Sequence, residues 1–132
     1  MSFFYATVSN IEACESLHIV HFTCEGQELS MMSLELSSKV RVGSKVKLVI
    51  KPMHISLVIP PLLARISDEN QMRVEVSSCT HGKLLSNIGL VCGSVKMESV
   101  ITATSAKKME LKVGQKLIAL MKSSDLAIGE VL

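Results

Sequence analysis

The sequence predicts an all-β chain built as two tandem small OB-like Greek-key barrels, each with one short helix. Three observations lead there: an internal repeat, a period-two alternation of apolar and polar side chains, and glycines placed to turn the chain into the alternating segments. Sliding the sequence by 71 positions lays residues 39–59 on 110–130 without a gap. Identities fall at Val42 and Val113, Gly43 and Gly114, Lys45 and Lys116, and Lys51 and Lys122. The same offset carries upstream, where Leu17-His18-Ile19-Val20 meets Ile88-Gly89-Leu90-Val91 and Leu29 meets Val100.

In chain order, Leu17 to Phe22 reads as a strand that sends neighbouring side chains to opposite faces. A short helix is expected near Ser33–Ser38, with a hydroxyl to cap its first turn and Gly43 a few residues beyond. Lys45-Val46-Lys47-Leu48-Val49-Ile50-Lys51 alternates basic and apolar residues, the mark of a half-buried strand. Pro60-Pro61 cannot continue a strand ladder, so the boundary falls there: a first unit at 1–61 and a second at 62–132, with 62–71 as its leading segment. Arg73-Val74-Glu75-Val76 resumes the alternation, and the second copy's helix is expected near Ser105–Glu110, ahead of Gly114. A unit of about sixty residues is marginal as an independent core. Units this small bury a face against each other or against a partner chain, so an oligomer is expected.

Composition narrows the function classes. The chain has 132 residues with fourteen basic and twelve acidic side chains, a net charge of +2, which provides no clustered basic face for duplex DNA or an acidic membrane. Its four aromatics, Phe3, Phe4, Tyr5 and Phe22, are too few to stack single-stranded nucleic acid. The richest apolar stretch, Met53 to Ala64, is broken by His54, Ser56, Pro60 and Pro61, so no membrane helix is expected. The N-terminal residues lack a basic segment and a long apolar run, and the four cysteines are read as reduced thiols in a cytoplasm.

Cys14, His18, His21 and Cys24 lie within eleven residues, but C-x3-H-x2-H-x2-C is not a zinc spacing. Cys79 and His81 have no second pair nearby, and no metal site is expected. There is no G-x-S-x-G, no P-loop and no G-x-G-x-x-G, so the chain reads as a non-enzyme with no catalytic residue and no catalytic cofactor. What stands out is a set of small hydroxyl residues with one lysine: Ile101-Thr102-Ala103-Thr104-Ser105 and Leu120-Met121-Lys122-Ser123-Ser124-Asp125.

These segments resemble the Mop, or TOBE, domain of molybdate-binding proteins. In that family a strand ending I-T-x-x-S is followed by L-x-L-x-x-G and a strand ending I-K-x-S. Here Thr102 and Ser105 stand in the first motif, Leu111-Lys112-Val113-Gly114 forms the second, and Met121-Lys122-Ser123 forms the third, with Met121 in place of isoleucine. Ser67-Asp68-Glu69-Asn70-Gln71-Met72 is similar to the S-A-R-N-Q segment that leads into such domains. The tandem copies resemble the di-Mop arrangement of the molbindins and of the C-terminal half of molybdate-responsive regulators.

The resemblance implies molybdate or tungstate as bound ligand, held between subunits of a dimer or trimer of the tandem unit, for intracellular storage, homeostasis or sensing. It implies oxyanion ligands at Ser67, Thr102, Ser105, Lys122 and Ser123, and in the first copy at Ser30, Ser33 and Lys51. Molybdate and tungstate carry no proton at neutral pH, so a site made only of donors satisfies them, whereas monohydrogen phosphate brings a donor with no acceptor to meet it. An alternative is a TOBE-type regulatory module acting on an importer ATPase or a transcription regulator without binding anion itself.

Two departures stand out. Pro52, without an N–H, follows Lys51 where the second copy has Ser123, and Glu69 stands where the family motif has arginine. A carboxylate about 6 Å from a dianion at an effective dielectric near 20 costs on the order of 5 kcal/mol. Two readings stay open: Glu69 points away from the anion, or it weakens the site.

Overall fold

The computed structural model describes residues Ser2 to Leu132; Met1, the first residue of the expected first unit, lies outside the described residues. Long alternating segments form β1 (Ser2–Cys14), β2 (Leu17–Cys24), β3 (Gln27–Ser33), β4 (Lys45–Ile50) and the short β5 (Ser56–Val58). The second half supplies β6 (Asn70–His81), β7 (Leu85–Cys92), β8 (Val95–Thr102), a helix α1 (Ala103–Met109), β9 (Lys116–Met121) and β10 (Ala127–Val131). Two curled five-stranded antiparallel sheets result, in the orders β10-β4-β1-β2-β3 and β5-β9-β6-β7-β8. Each sheet takes four strands from one half and its closing edge from the other: β10 pairs with β4, and β5 with β9.

Alternation translates directly into burial. Along β4, Val46, Leu48 and Ile50 are buried; along β6, Asn70, Met72, Val74 and Val76 are. All of these but Asn70 join Phe4, Phe22, Ile88, Leu90 and Leu117 in one apolar cluster that runs through both halves.

The Val-Gly-x-Lys repeat marks the place where each sheet bends. Pairing shifts by one residue between Val8 and Asn10 in β1 and between Val76 and Ser78 in β6, a bulge that turns the strand away from its first partner. Gly43 and Gly114 adopt φ of +93° and +89° and donate their N–H groups, each at 2.8 Å, to Val8 O and Val76 O. Val8 and Val76 in turn donate to Ser44 O and Gln115 O at 2.9 Å. The positive φ is what requires glycine there.

Strand pairing corrects the repeat register. The β2–β3 hairpin closes on Cys24 and Gln27 and the β7–β8 hairpin on Cys92 and Val95, so these strands are related by 68 positions, while β4 and β9 are related by 71. Leu17 therefore corresponds to Leu85, not Ile88. The difference of three residues falls between β3 and β4, where the first half lacks the helix expected near Ser33–Ser38. With one turn fewer to spend, residues 34–44 run as bends and turns, and Ser33 donates its hydroxyl to the nearby Glu35 carbonyl instead of capping a helix. In the second half the helix forms from Ala103, ahead of the expected start, because Thr102 caps it: the Ser105 N–H donates to Thr102 Oγ1 at 3.1 Å. Leu36 and Val40 cover the first barrel where Ala106 and Leu111 cover the second.

Between the halves, β1 packs on β8 and β3 on β6. Side-chain amides here replace main-chain pairing. Asn70 accepts from Ser30 N at 2.6 Å and donates to Ser30 O at 2.9 Å; Gln27 accepts from Arg73 N at 2.8 Å and donates to Arg73 O at 3.1 Å. On the other side of the pseudo-twofold, the Ser2 hydroxyl does the same for Glu98, accepting from its N–H at 2.9 Å and donating to its carbonyl at 3.2 Å. Asn70 is fully buried. Its truncation leaves a buried N–H and a buried C=O unpaired at about 1–3 kcal/mol each. Asn70→Ala is expected to lower unfolding stability by about 2–4 kcal/mol, read by urea denaturation with an unchanged m-value. Asn70→Asp, which sets a buried carboxylate against the Ser30 carbonyl, should cost at least as much as alanine at neutral pH.

Candidate binding cleft at the seam

The chain leaves β9 at Met121 and turns at once, the Asp125 N–H closing on Lys122 O at 3.0 Å. That turn leaves Lys122 exposed and tucks Ser123 inward, its carbonyl taking the Met32 N–H of β3 at 2.9 Å. Opposite it, β6 begins at Asn70, paired with Met121, so the preceding residues Ser67 to Glu69 are laid against the same turn. Together they line an open cleft of about 550 Å³ with Ile19, Met32 and Gln71 at its walls.

The polar centre of this cleft straddles the two halves. Ser30 Oγ of β3 and Ser123 Oγ lie 2.7 Å apart, and both donate to Glu69 Oε2, at 2.5 and 2.8 Å. The Ser30 hydroxyl, then the Ser123 hydroxyl, hold the Glu69 carboxyl below the usual carboxylate range, against the smaller opposing effect of its burial. His21 is held by Glu12, 2.7 Å from its Nε2. Of the two readings left open by the sequence, the structure places Glu69 pointing in. Lys122 contributes the positive charge of the cleft, against Asp68 and Glu69.

Ser67, Lys122 and Ser123 are thus brought together, joined by Ser30 from the other half. Thr102 and Ser105 are not with them in the same chain. They sit exposed at the start of α1, the Thr102 hydroxyl donating to Ser105 Oγ at 2.9 Å. Thr102 pairs with Leu85 beyond the far end of β6, whose twelve residues span roughly 36 Å of strand. Lys51 occupies the turn equivalent to that of Lys122, with the His54 N–H closing on its carbonyl at 2.9 Å, but Pro52 and Met53 follow it in place of two serines. By strand register the counterpart of Thr102 is Leu34, so neither Ser30 nor Ser33 occupies its place. Ser33 is spent on Glu35.

Sequence reading assigned no role to Asn70, which orders Ser30, or to Gln27. The only signal for Asn70 is its place in the Ser67–Met72 segment, immediately before the alternation of β6.

Comparison with known proteins bears on the family and the fold. Residues 66–128 match the family model of the TOBE domain. No curated protein matches the chain. Among solved structures, the cytoplasmic molybdate-binding protein ModG, with molybdate bound, is similar with a TM-score of 0.87 and 22% identity, covering 96% of this chain and 94% of that one. The likeness spans both halves, and the tandem OB-like architecture expected from the sequence is the one the chain has, with one α-helix among the described residues in place of two. Among the described residues no helix is long and apolar enough to cross a membrane.

Because the folded carboxyl of Glu69 is held below its ordinary value, its contribution to stability is present above the ordinary glutamate range and is lost as pH falls through the folded value. Glu69→Gln is expected to flatten the acid limb of the stability profile below about pH 4.5, relative to the wild-type chain, in thermal melts across pH 3–7.

Proposed function

We propose that this chain, which carries a TOBE domain at residues 66–128, is a non-enzymatic cytoplasmic protein that binds molybdate or tungstate at sites completed between subunits, for intracellular storage, homeostasis or sensing of the anion. The observation that carries this reading is the split of its donors. Ser67, Lys122 and Ser123 meet in one cleft, while Thr102 and Ser105 stand exposed at the opposite end of the same sheet. A second copy that sets its α1 start against this cleft unites the two sets, and the anion is then enclosed by hydroxyls, N–H groups and one ammonium. Likeness to ModG, described as binding molybdate, supports the choice of ligand.

The chemistry favours an unprotonated tetrahedral anion. Each charge-assisted hydrogen bond is worth about 1.5–3 kcal/mol, and several of them, less the cost of association, reach the roughly −8 kcal/mol of micromolar binding. Ligand shared across a subunit contact ties occupancy to assembly, so bound anion stabilises the oligomer, a dimer or trimer of the tandem unit, by about 2.7 kcal/mol at a hundredfold excess over Kd.

A second reading has one observation in its favour. Glu69 already takes the hydroxyl hydrogens of Ser30 and Ser123, as in a module that has given up anion binding and acts on an importer ATPase or a transcription regulator. Intact assembly with no anion response in any variant, and retention of such a partner by the immobilised protein, would select it.

Calorimetric titration with molybdate, tungstate, sulfate and phosphate tests the first reading. Molybdate or tungstate is expected to bind more tightly than phosphate, and Lys122→Ala to weaken that binding by at least tenfold with the oligomer intact. A folded oligomer that takes up none of the four anions below millimolar concentration, both as the wild-type chain and with Glu69 replaced, overturns it.

A further inference from the structure

We infer that Glu69 is a built-in anion: its carboxylate occupies the Ser30–Ser123 hydroxyl pair of the Lys122 cleft, and an oxyanion enters that cleft only by displacing it. The inference rests on the oxyanion reading of the cleft and adds to it the group that sets the cleft's affinity.

The geometry separates a fixed donor pair from a movable occupant. Ser30 is 3% exposed and its main chain is clamped on both sides by the buried Asn70 amide. Ser123 is 9% exposed, and its carbonyl is held by the Met32 N–H. Neither attachment involves Glu69. Glu69 itself lies at the exposed lip of the cleft, in the segment before β6 begins, and both of its hydrogen bonds come through the one oxygen Oε2. Its departure therefore leaves two hydroxyls 2.7 Å apart, already placed, beside the Lys122 side chain.

A carboxylate oxygen and an oxyanion oxygen ask the same of a hydroxyl: acceptance of its hydrogen by a negatively charged atom. They compete for the pair. With Glu69 in place the cleft holds two carboxylates, Asp68 and Glu69, against the single Lys122, so an incoming dianion meets net negative charge as well as occupied donors. With Glu69 withdrawn, both obstacles fall together. Because Ser30 belongs to one half and Ser123 and Glu69 to the other, the occupant also spans the seam.

Titration of the oligomer with molybdate, and separately with sulfate, at pH 7.5 tests this on four proteins: wild type, Glu69→Gln, Glu69→Ala and the double variant Glu69→Ala with Lys122→Ala. Oligomer mass and thermal melting confirm that each is folded. Glu69→Ala, which removes the charge and frees both hydroxyls, is expected to bind molybdate at least tenfold more tightly than wild type. Glu69→Gln, which removes the charge but keeps an accepting oxygen, should fall between them and serves alone if the alanine variant does not fold. The added Lys122→Ala must abolish the gain, which places it in this cleft. Equal affinity of wild type and both Glu69 variants, with binding still lost in the double variant, overturns the built-in anion and leaves the oxyanion reading standing. A gain that survives Lys122→Ala overturns it likewise. Absence of binding in every variant overturns the oxyanion reading itself.

Discussion

The contact between β3 and β6 organises the molecule. Two strands from different halves meet there without forming a continuous ladder, and their facing main-chain groups are satisfied by the amides of Asn70 and Gln27. A buried peptide group left unpaired is costly, so the seam exists only where such side chains are available. Neither half, at about sixty residues, encloses much of a core by itself. The apolar cluster from Phe4 to Leu126 is continuous because the seam lets both sheets contribute to it.

The seam also sets where the cleft can be. Asn70 orders Ser30 from one side, and the neighbouring Glu69 takes that serine's hydroxyl from the other. The structural clamp and the polar cleft are adjacent residues of one segment. The pseudo-twofold repeats the clamp but not the chemistry: Ser2 holds Glu98 as Asn70 holds Ser30, while Pro52 and Met53 follow Lys51 where Ser123 and Ser124 follow Lys122. The Ser30 clamp has a counterpart across the pseudo-twofold, whereas the hydroxyl donors do not.

Much of the fold was legible because it rests on periodicities that survive in a single chain. The alternation in β4 and β6 and the turn glycines Gly43 and Gly114 announced the strands and bends before any coordinates. The helix near Ser33 was not legible as an absence. A gapless repeat of 71 hid the three-residue shortening, which strand pairing exposes as a change of offset from 68 to 71. In the site, Ser67, Lys122 and Ser123 came from motif resemblance and do share a cleft. Ser30 follows from the same resemblance and, although strand pairing makes Leu34 the counterpart of Thr102, it reaches the cleft of the other half. Its contact is tertiary, between residues 93 positions apart, and no local pattern reports it. Asn70 escaped attention because an amide that substitutes for a strand partner looks, in sequence, like any polar residue at a strand start.

The exchange of closing edges between the sheets has a bearing on how the chain is made. The amino-terminal sheet acquires β10 as its outer strand, from residues 127–131. During synthesis that sheet waits with β4 uncovered until Ala127–Val131 have left the ribosome, and a bare strand edge invites pairing with a neighbouring nascent chain. Lys45 and Lys47 on β4 place ammonium groups along that edge, a charge barrier to such trespass for as long as the gap stands open.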